Sequence, residues 1–417
     1  MKYAAGALVL GMIASSASAA TPTLDEMWAL VQQQQAEIAR LRQQLAQTDG
    51  RIEETRLKVD ETNVKVEATA ERVEQAGSGS DIARLASRVD RTHLGGYGEM
   101  HYSNLDNDLD GGKDKDEIDI HRFVLYASHE FSPRTRFYSE LELEHSISGD
   151  GQNGEIELEQ AYIEHDIAGT QRLKAGLFLV PVGLLNETHE PDVFYGVERN
   201  NVERNIIPTT WWEGGIAFSG ELLPGLSYDA AFTSGLKLDP SKGWKIRDGR
   251  QKVSEADASD PAWTGRFKYT GIAGLEVAAS LQYQQDLYQG EYSAEVDAML
   301  YETHVAYRKG PFGLRALYAG WDIDEAIEFF APGADRQEGW YVEPSWQISP
   351  QWGVFARYSD WDNQAGANID TGYTQWDMGV NYWLEENVVF KLDYQRQDAP
   401  DGKDQLDGVN LGVGWSF

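Results

Sequence analysis

Glu140, Glu142 and Glu144 alternate with Leu141 and Leu143. On an extended strand, side chains two residues apart share a face, so three carboxylates line one side of such a strand and two leucines the other. Bases that could face them are Arg122, with Val124 where a second base could stand, and Lys174. A later segment reads Asn186-Glu187-Thr188-His189-Glu190-Pro191, then Tyr195-Gly196-Val197-Glu198-Arg199, then Val202-Glu203-Arg204. Fixed charges of both signs around a watery space select ions and orient dipolar solutes. Two readings stand side by side. The glutamates form a structural charge network with Arg122, Lys174 and neighbouring bases, or they form a cation-favouring wall opposite a basic one. Likewise, Arg199 and Arg204 are the positive charges of a constriction, or they pair with Glu198 and Glu203 to hold the segment's shape.

Other chemistry is poorly supplied. Glu187, His189 and Glu190 cluster in one segment with a single histidine, too thin a set to assign a metal. No nucleophile elbow, phosphate-cradling glycine motif or zinc-protease helix occurs. Cysteine is absent, which excludes thiolate sites. Neither a catalytic residue nor a cofactor is expected, and the chain does not read as an enzyme. A net charge of −32 argues against nucleic acid as a partner.

The elements that would position these charges are strands. From Leu94 to Phe417 the apolar residues recur with period two, in segments separated by Gly, Pro, Asn and Asp clusters. Val409, Leu411, Val413, Trp415 and Phe417 oppose Gly408, Asn410, Gly412, Gly414 and Ser416. Leu275, Val277, Ala279, Leu281 and Tyr283 alternate with polar neighbours, and so do Trp376, Met378, Val380 and Tyr382. Trp340, Trp346, Trp352 and Tyr358 fall near strand ends, where an interface girdle needs aromatics. The pattern predicts an all-β fold, a transmembrane antiparallel barrel of about sixteen strands.

Connection lengths carry a second regularity. Short turns are expected at 132–133, 168–169, 224–225, 271–274, 310–311, 349–350 and 386–387, alternating with longer polar loops such as 106–117, 183–210, 237–260 and 322–336. Periplasmic turns and extracellular loops alternate in this way. Segment 184–210 carries Leu184, Leu185, Val193, Phe194, Ile206 and Ile207, odd cargo for a solvated loop, and is expected to fold inward. Ile156 and Leu158 disagree in parity with Ala161 and Ile163, which a bulge near Glu159 would reconcile.

Ahead of the barrel lie three further segments. Residues 1–19 read as a secretory signal: Lys2, an apolar run, then Ala17-Ser18-Ala19. Residues 20–76 show an unbroken heptad repeat, with Leu24, Val31, Ile38, Leu45, Ile52, Val59, Val66 and Val73 at one core position. That period marks an α-helical coiled coil, and β-branched core residues favour three strands over two. Residues 77–93 are a Gly-Ser linker with a short amphipathic helix.

The run from His121 through Ile207, with Glu159-Gln160-Ala161-Tyr162, Lys174-Ala175-Gly176-Leu177-Phe178 and Glu203-Arg204, resembles the phosphate-selective porin O/P family. The extension is similar to that of trimeric dicarboxylate-uptake porins. The resemblance implies a trimeric, passive porin of the bacterial outer membrane, contacting lipid and lipopolysaccharide and passing small hydrophilic, charged solutes such as phosphate or dicarboxylates. The alternative is a structural tether: a stem of about 80 Å, at about 1.5 Å per residue, could space the outer membrane from the cell wall.

Overall fold

A computed structural model describes residues 91–239, 244–329 and 331–417, together with Arg40. Apart from Arg40, the expected signal and coiled coil, and all of the linker before residue 91, lie outside the described residues. Sixteen strands follow: β1 (Thr92–Asn107), β2 (Lys115–Ser132), β3 (Thr135–Glu144), β4 (Ile156–Ala168), β5 (Gln171–Leu179), β6 (Trp212–Leu223), β7 (Leu226–Thr233) and β8 (Ala262–Tyr269) form the first half. The second comprises β9 (Leu275–Gln284), β10 (Ala298–Lys309), β11 (Phe312–Ile323), β12 (Arg336–Gln347), β13 (Trp352–Asp362), β14 (Tyr373–Glu385), β15 (Val388–Asp398) and β16 (Leu406–Ser416). The first strand begins at Thr92, so the linker expected through residue 93 gives up its last two residues.

Every strand pairs antiparallel with its neighbours in sequence, and β1 pairs with β16, which closes the barrel. The terminal residue fastens the seam: Gly96 and Phe417 exchange backbone hydrogen bonds of 3.0 and 2.8 Å. Short and long connections alternate throughout, as the turn chemistry requires.

Exposure decides which face is which. In β9, Val277, Leu281 and Tyr283 are 40–57 % exposed, whereas Ser280, Gln282 and Gln284 are at most 2 % exposed. This inverts the pattern of a protein that faces water all round, and two stacked sheets would bury the apolar set. Only a lipid-facing exterior makes the arrangement favourable. Trp340, Trp346 and Trp352 are exposed on that exterior, with ring contacts Trp340–Tyr358 and Trp352–Tyr382 at 5.3 and 4.5 Å running between adjacent strands. Among the described residues no helix is long and apolar enough to cross a membrane.

The parity conflict in β4 resolves as a bulge. Glu140 pairs with Gln160 and Leu141 with Leu158, leaving Glu159 unpaired, and Glu159 and Gln160 are both buried on the inner side. One extra residue thus brings a further carboxylate to the wall.

A core of the kind found in water-soluble proteins does exist, but inside the barrel. Val202, Ile206, Ile207 and Trp211 of the β5–β6 loop pack with Leu236, Ile246 and Leu287 of later loops and with Trp321, Tyr341 and Trp361 of the wall. Burial of this much apolar surface is what draws the loops inward.

Candidate functional site

The β5–β6 loop, 180–211, reaches from its own strands to two stretches of the wall, β1–β2 and β13–β15, that flank β16. On one side, the Arg122 guanidinium donates to the His189 carbonyl at 2.6 Å, and the Tyr97 hydroxyl lies 2.8 Å from His189 Nε2. On the other, the Val197 amide donates to Asp393 Oδ2 at 2.6 Å, Asn381 donates to the Phe194 carbonyl, and Trp383 donates to the Asp192 carbonyl. Arg357 donates to the carbonyls of Tyr195 and Glu198 while holding Glu343 and Asp377, each at 3.1 Å. Close approach needs small residues. A Cβ at Gly414 of β16 would stand 2.5 Å from Pro191, and Gly196 adopts φ +84° against Phe355 and Arg357.

Within the loop, one helical turn, α1 (Val202–Asn205), is held by Glu203. Its carboxylate accepts from the amides of Leu184 and Leu185, both at 2.7 Å, and from Asn200 and Tyr341. The expected pairing of Glu203 with an arginine therefore fails: backbone donors and a tyrosine take its oxygens. Arg204 instead lies 3.7 Å from Glu198 and is exposed. Arg199 is in no ion pair among the described residues. Withdrawal from water and the charge of Arg122 push its guanidinium down to about 10, still charged at neutral pH. Glu198 accepts from His101 of β1 at 3.1 Å; burial alone would raise its carboxyl, but the His101 hydrogen bond and charge hold it well below the usual carboxylate range.

Between this loop and the β1–β4 wall lies a cavity of about 200 Å³. Glu99, Glu142, Glu144, Glu157 and Glu159 line it from the strands, Glu198, Arg199 and Arg204 from the loop. A third contributor is the β7–β8 connection, which supplies Arg247, Arg250 and Lys252. A larger cavity of about 1080 Å³ opens on the short-turn side, between the loop's Asp192–Tyr195 stretch and Arg308, Arg315 and Gln347.

Several expected residues sit elsewhere. Arg122 is committed to Glu99 at 2.6 Å rather than to the β3 glutamates. Glu140 is buried under the loop, accepting from Tyr97 at 2.9 Å and from Gln160. Glu187 is ion-paired with Arg266 of β8, which also holds Asp229; burial would raise its carboxyl, and the Arg266 charge keeps it low. Lys174 stands over the Tyr162 ring at 4.6 Å and does not line the small cavity. Glu187 and His189 are thus drawn to different strands, and the trio with Glu190 does not assemble. Among the apolar loop residues, Leu185, Phe194, Ile206 and Ile207 are buried as expected, but Val193 is exposed to the larger cavity.

Sequence reasoning missed Glu99, His101, Glu157 and the Arg247–Lys252 cluster. The last had a signal: Lys245, Arg247, Arg250 and Lys252 concentrate base in a strongly acidic chain.

Comparison with known proteins agrees with this architecture. The family model described as Gram-negative porin matches residues 213–402, from β6 to just past β15. An uncharacterised protein of Aquifex aeolicus is 29 % identical over 374 residues, covering 82 % of this chain and 84 % of that protein. Among solved structures, the anion-selective porin from Comamonas acidovorans aligns with a TM-score of 0.57 at 14 % identity, over 78 % of this chain and 99 % of its own. OmpF of Salmonella typhi, solved with daunomycin, aligns with a TM-score of 0.56 at 15 % identity, over 78 % of this chain and 97 % of its own. The fold is a closed sixteen-stranded antiparallel barrel of the porin type.

Proposed function

We propose that the protein is a passive outer-membrane porin, in which small hydrophilic, charged solutes diffuse through the space between the β5–β6 loop and the β1–β4 wall. The observation that carries this reading is the inward loop, held across the barrel and leaving a charged passage beside it. Most of the carboxylates come from the strands and most of the bases from two loops, so a transverse field crosses the passage and orients dipolar solutes. Arg199 is the chief fixed positive charge of this constriction; Arg204 contributes less, because it is exposed and partnered with Glu198.

Anions such as phosphate or dicarboxylates are the solute class that the O/P resemblance suggests, and the basic cluster of Arg199, Arg247 and Arg250 supports it. The glutamates opposite favour moderate rather than strict anion preference. Assembly is read as a homotrimer, which the heptad repeat at 20–76 favours. The purified chain in a planar bilayer tests the reading: stepwise, ohmic conductance is expected, with reversal potentials in chloride, phosphate and dicarboxylate gradients reporting the preference. Failure to conduct would leave the barrel as an anchor.

A further inference from the structure

His189, Glu140 and Glu159 converge where the β5–β6 loop meets β3 and β4. All three are buried, with His189 at 3 %, Glu140 at 3 % and Glu159 at 1 % exposed. One ligand atom from each lies within 4.8 Å of the other two. His189 Nδ1 sits 3.0 Å from the Asn186 carbonyl, which can only accept, so Nδ1 carries the proton and Nε2 presents its lone pair. The Tyr97 hydroxyl touches both Nε2 and Glu140 Oε1, at 2.8 and 2.9 Å, yet has one proton to give. Glu159 Oε2, 3.9 Å from Nε2, has no hydrogen-bond partner at all. Three acceptors thus compete for one donor in a place withdrawn from water, and the nearby Arg122 guanidinium is spent on Glu99 and the His189 carbonyl, so a cation seated among the three would relieve a cost.

We propose that His189, Glu140 and Glu159 bind a divalent transition metal of the zinc class, which clamps the β5–β6 loop to the barrel wall. One imidazole with two carboxylates suits zinc and its first-row neighbours better than calcium or magnesium, which take oxygen alone. Metal–ligand distances of about 2.0–2.2 Å would place the ligand atoms about 3.4 Å apart, so Glu159 Oε2 and His189 Nε2 close from 3.9 Å and the trio contracts from within 4.8 Å. Tyr97 stands ready as a fourth ligand or as a donor to Glu140. The Asn186 carbonyl plays the outer-shell part, fixing the imidazole's tautomer and orientation. Access is from the small cavity, which Glu159 also lines.

A second histidine cluster, His101, His121 and Glu198, has comparable spacing. Both His101 nitrogens are already engaged, with Glu198 and with Glu99, each at 3.1 Å, so it serves as the control.

The test is a titration of the purified, chelator-stripped full chain in detergent with zinc sulfate, by calorimetry, with X-ray absorption at the zinc edge to count imidazole ligands. Saturation at one zinc per chain is expected, with one imidazole in the first shell. His189→Ala and Glu159→Gln should each weaken binding by more than about a hundredfold, the upper end of what outer-shell losses cost. His101→Ala should leave it within about threefold, a shift of under half a tenfold step. Circular dichroism confirms that each variant is folded; if His189→Ala is not, Glu159→Gln decides. No saturable binding, binding retained in a folded Glu159→Gln chain, or equal loss in His101→Ala would each overturn the proposal. No readout involves current, so the result is independent of the transport reading.

Discussion

The outer belt of the barrel and its inner wall are built by different rules. On the belt, Val277, Leu281, Met378 and Leu411 are interchangeable members of one class, each asked only to be apolar and to point at lipid. On the inner wall, buried charges are held by particular partners: Arg122 has Glu99, Arg266 has Glu187 and Asp229, and Arg357 has Glu343 and Asp377. A rule of class tolerates exchange within the class. A rule of partners does not tolerate the loss of one member, because the survivors are left charged and buried.

The largest effect is expected where the partner rule is strictest. Arg357, Glu343 and Asp377 are at most 5 % exposed, so Arg357→Met strands two carboxylates and removes two donors to the loop. A loss of about 3–5 kcal/mol is expected in denaturant unfolding from lipid vesicles; a loss below 1 kcal/mol would mean the triad is not a strut. On the belt, Leu281→Arg near the middle of β9 should cost about 2–4 kcal/mol. Its neighbour Gln282→Arg faces inward and should cost clearly less; equal costs would erase the distinction between the faces. Smaller in free energy, but sharper for transport, is the pair Arg199→Gln and Arg204→Ala. The first should shift the reversal potential toward cations, the second hardly at all. Because withdrawal from water and the Arg122 charge push the Arg199 guanidinium down to about 10, its positive charge is expected below that pH and its loss above it. Cation preference should therefore rise as pH passes through 10, and part of that rise should vanish in Arg199→Gln.

The same contrast explains what could be read from residue order. Alternation along β9, β14 and β16 is a local, repeated signal, and even the bulge at Glu159 announced itself as a break in that rhythm. The apolar residues of 184–210 likewise betrayed an inward loop without any partner being known. Pairings within the passage carry no such signal. Val197 meets Asp393 across 196 residues, and His101 meets Glu198 across 97. Adjacent charges misled: Glu203 stands beside Arg204 in the chain, yet in the fold it caps backbone amides and a tyrosine, while Arg204 faces Glu198. The basic cluster at 245–252 was visible in composition but had no address until the β7–β8 connection was seen to reach the passage.

Absence of native cysteine allows the central claim, that the inward loop lines the path solutes take, to be tested at a single atom. Arg199→Cys channels in a planar bilayer would be exposed to a bulky, charged methanethiosulfonate reagent while current is recorded. If Arg199 stands in the passage, each channel should step to a lower conductance as it is labelled, and a positively charged and a negatively charged reagent should move ion preference in opposite directions. Complete labelling, verified by mass, with conductance and selectivity unchanged would contradict the account.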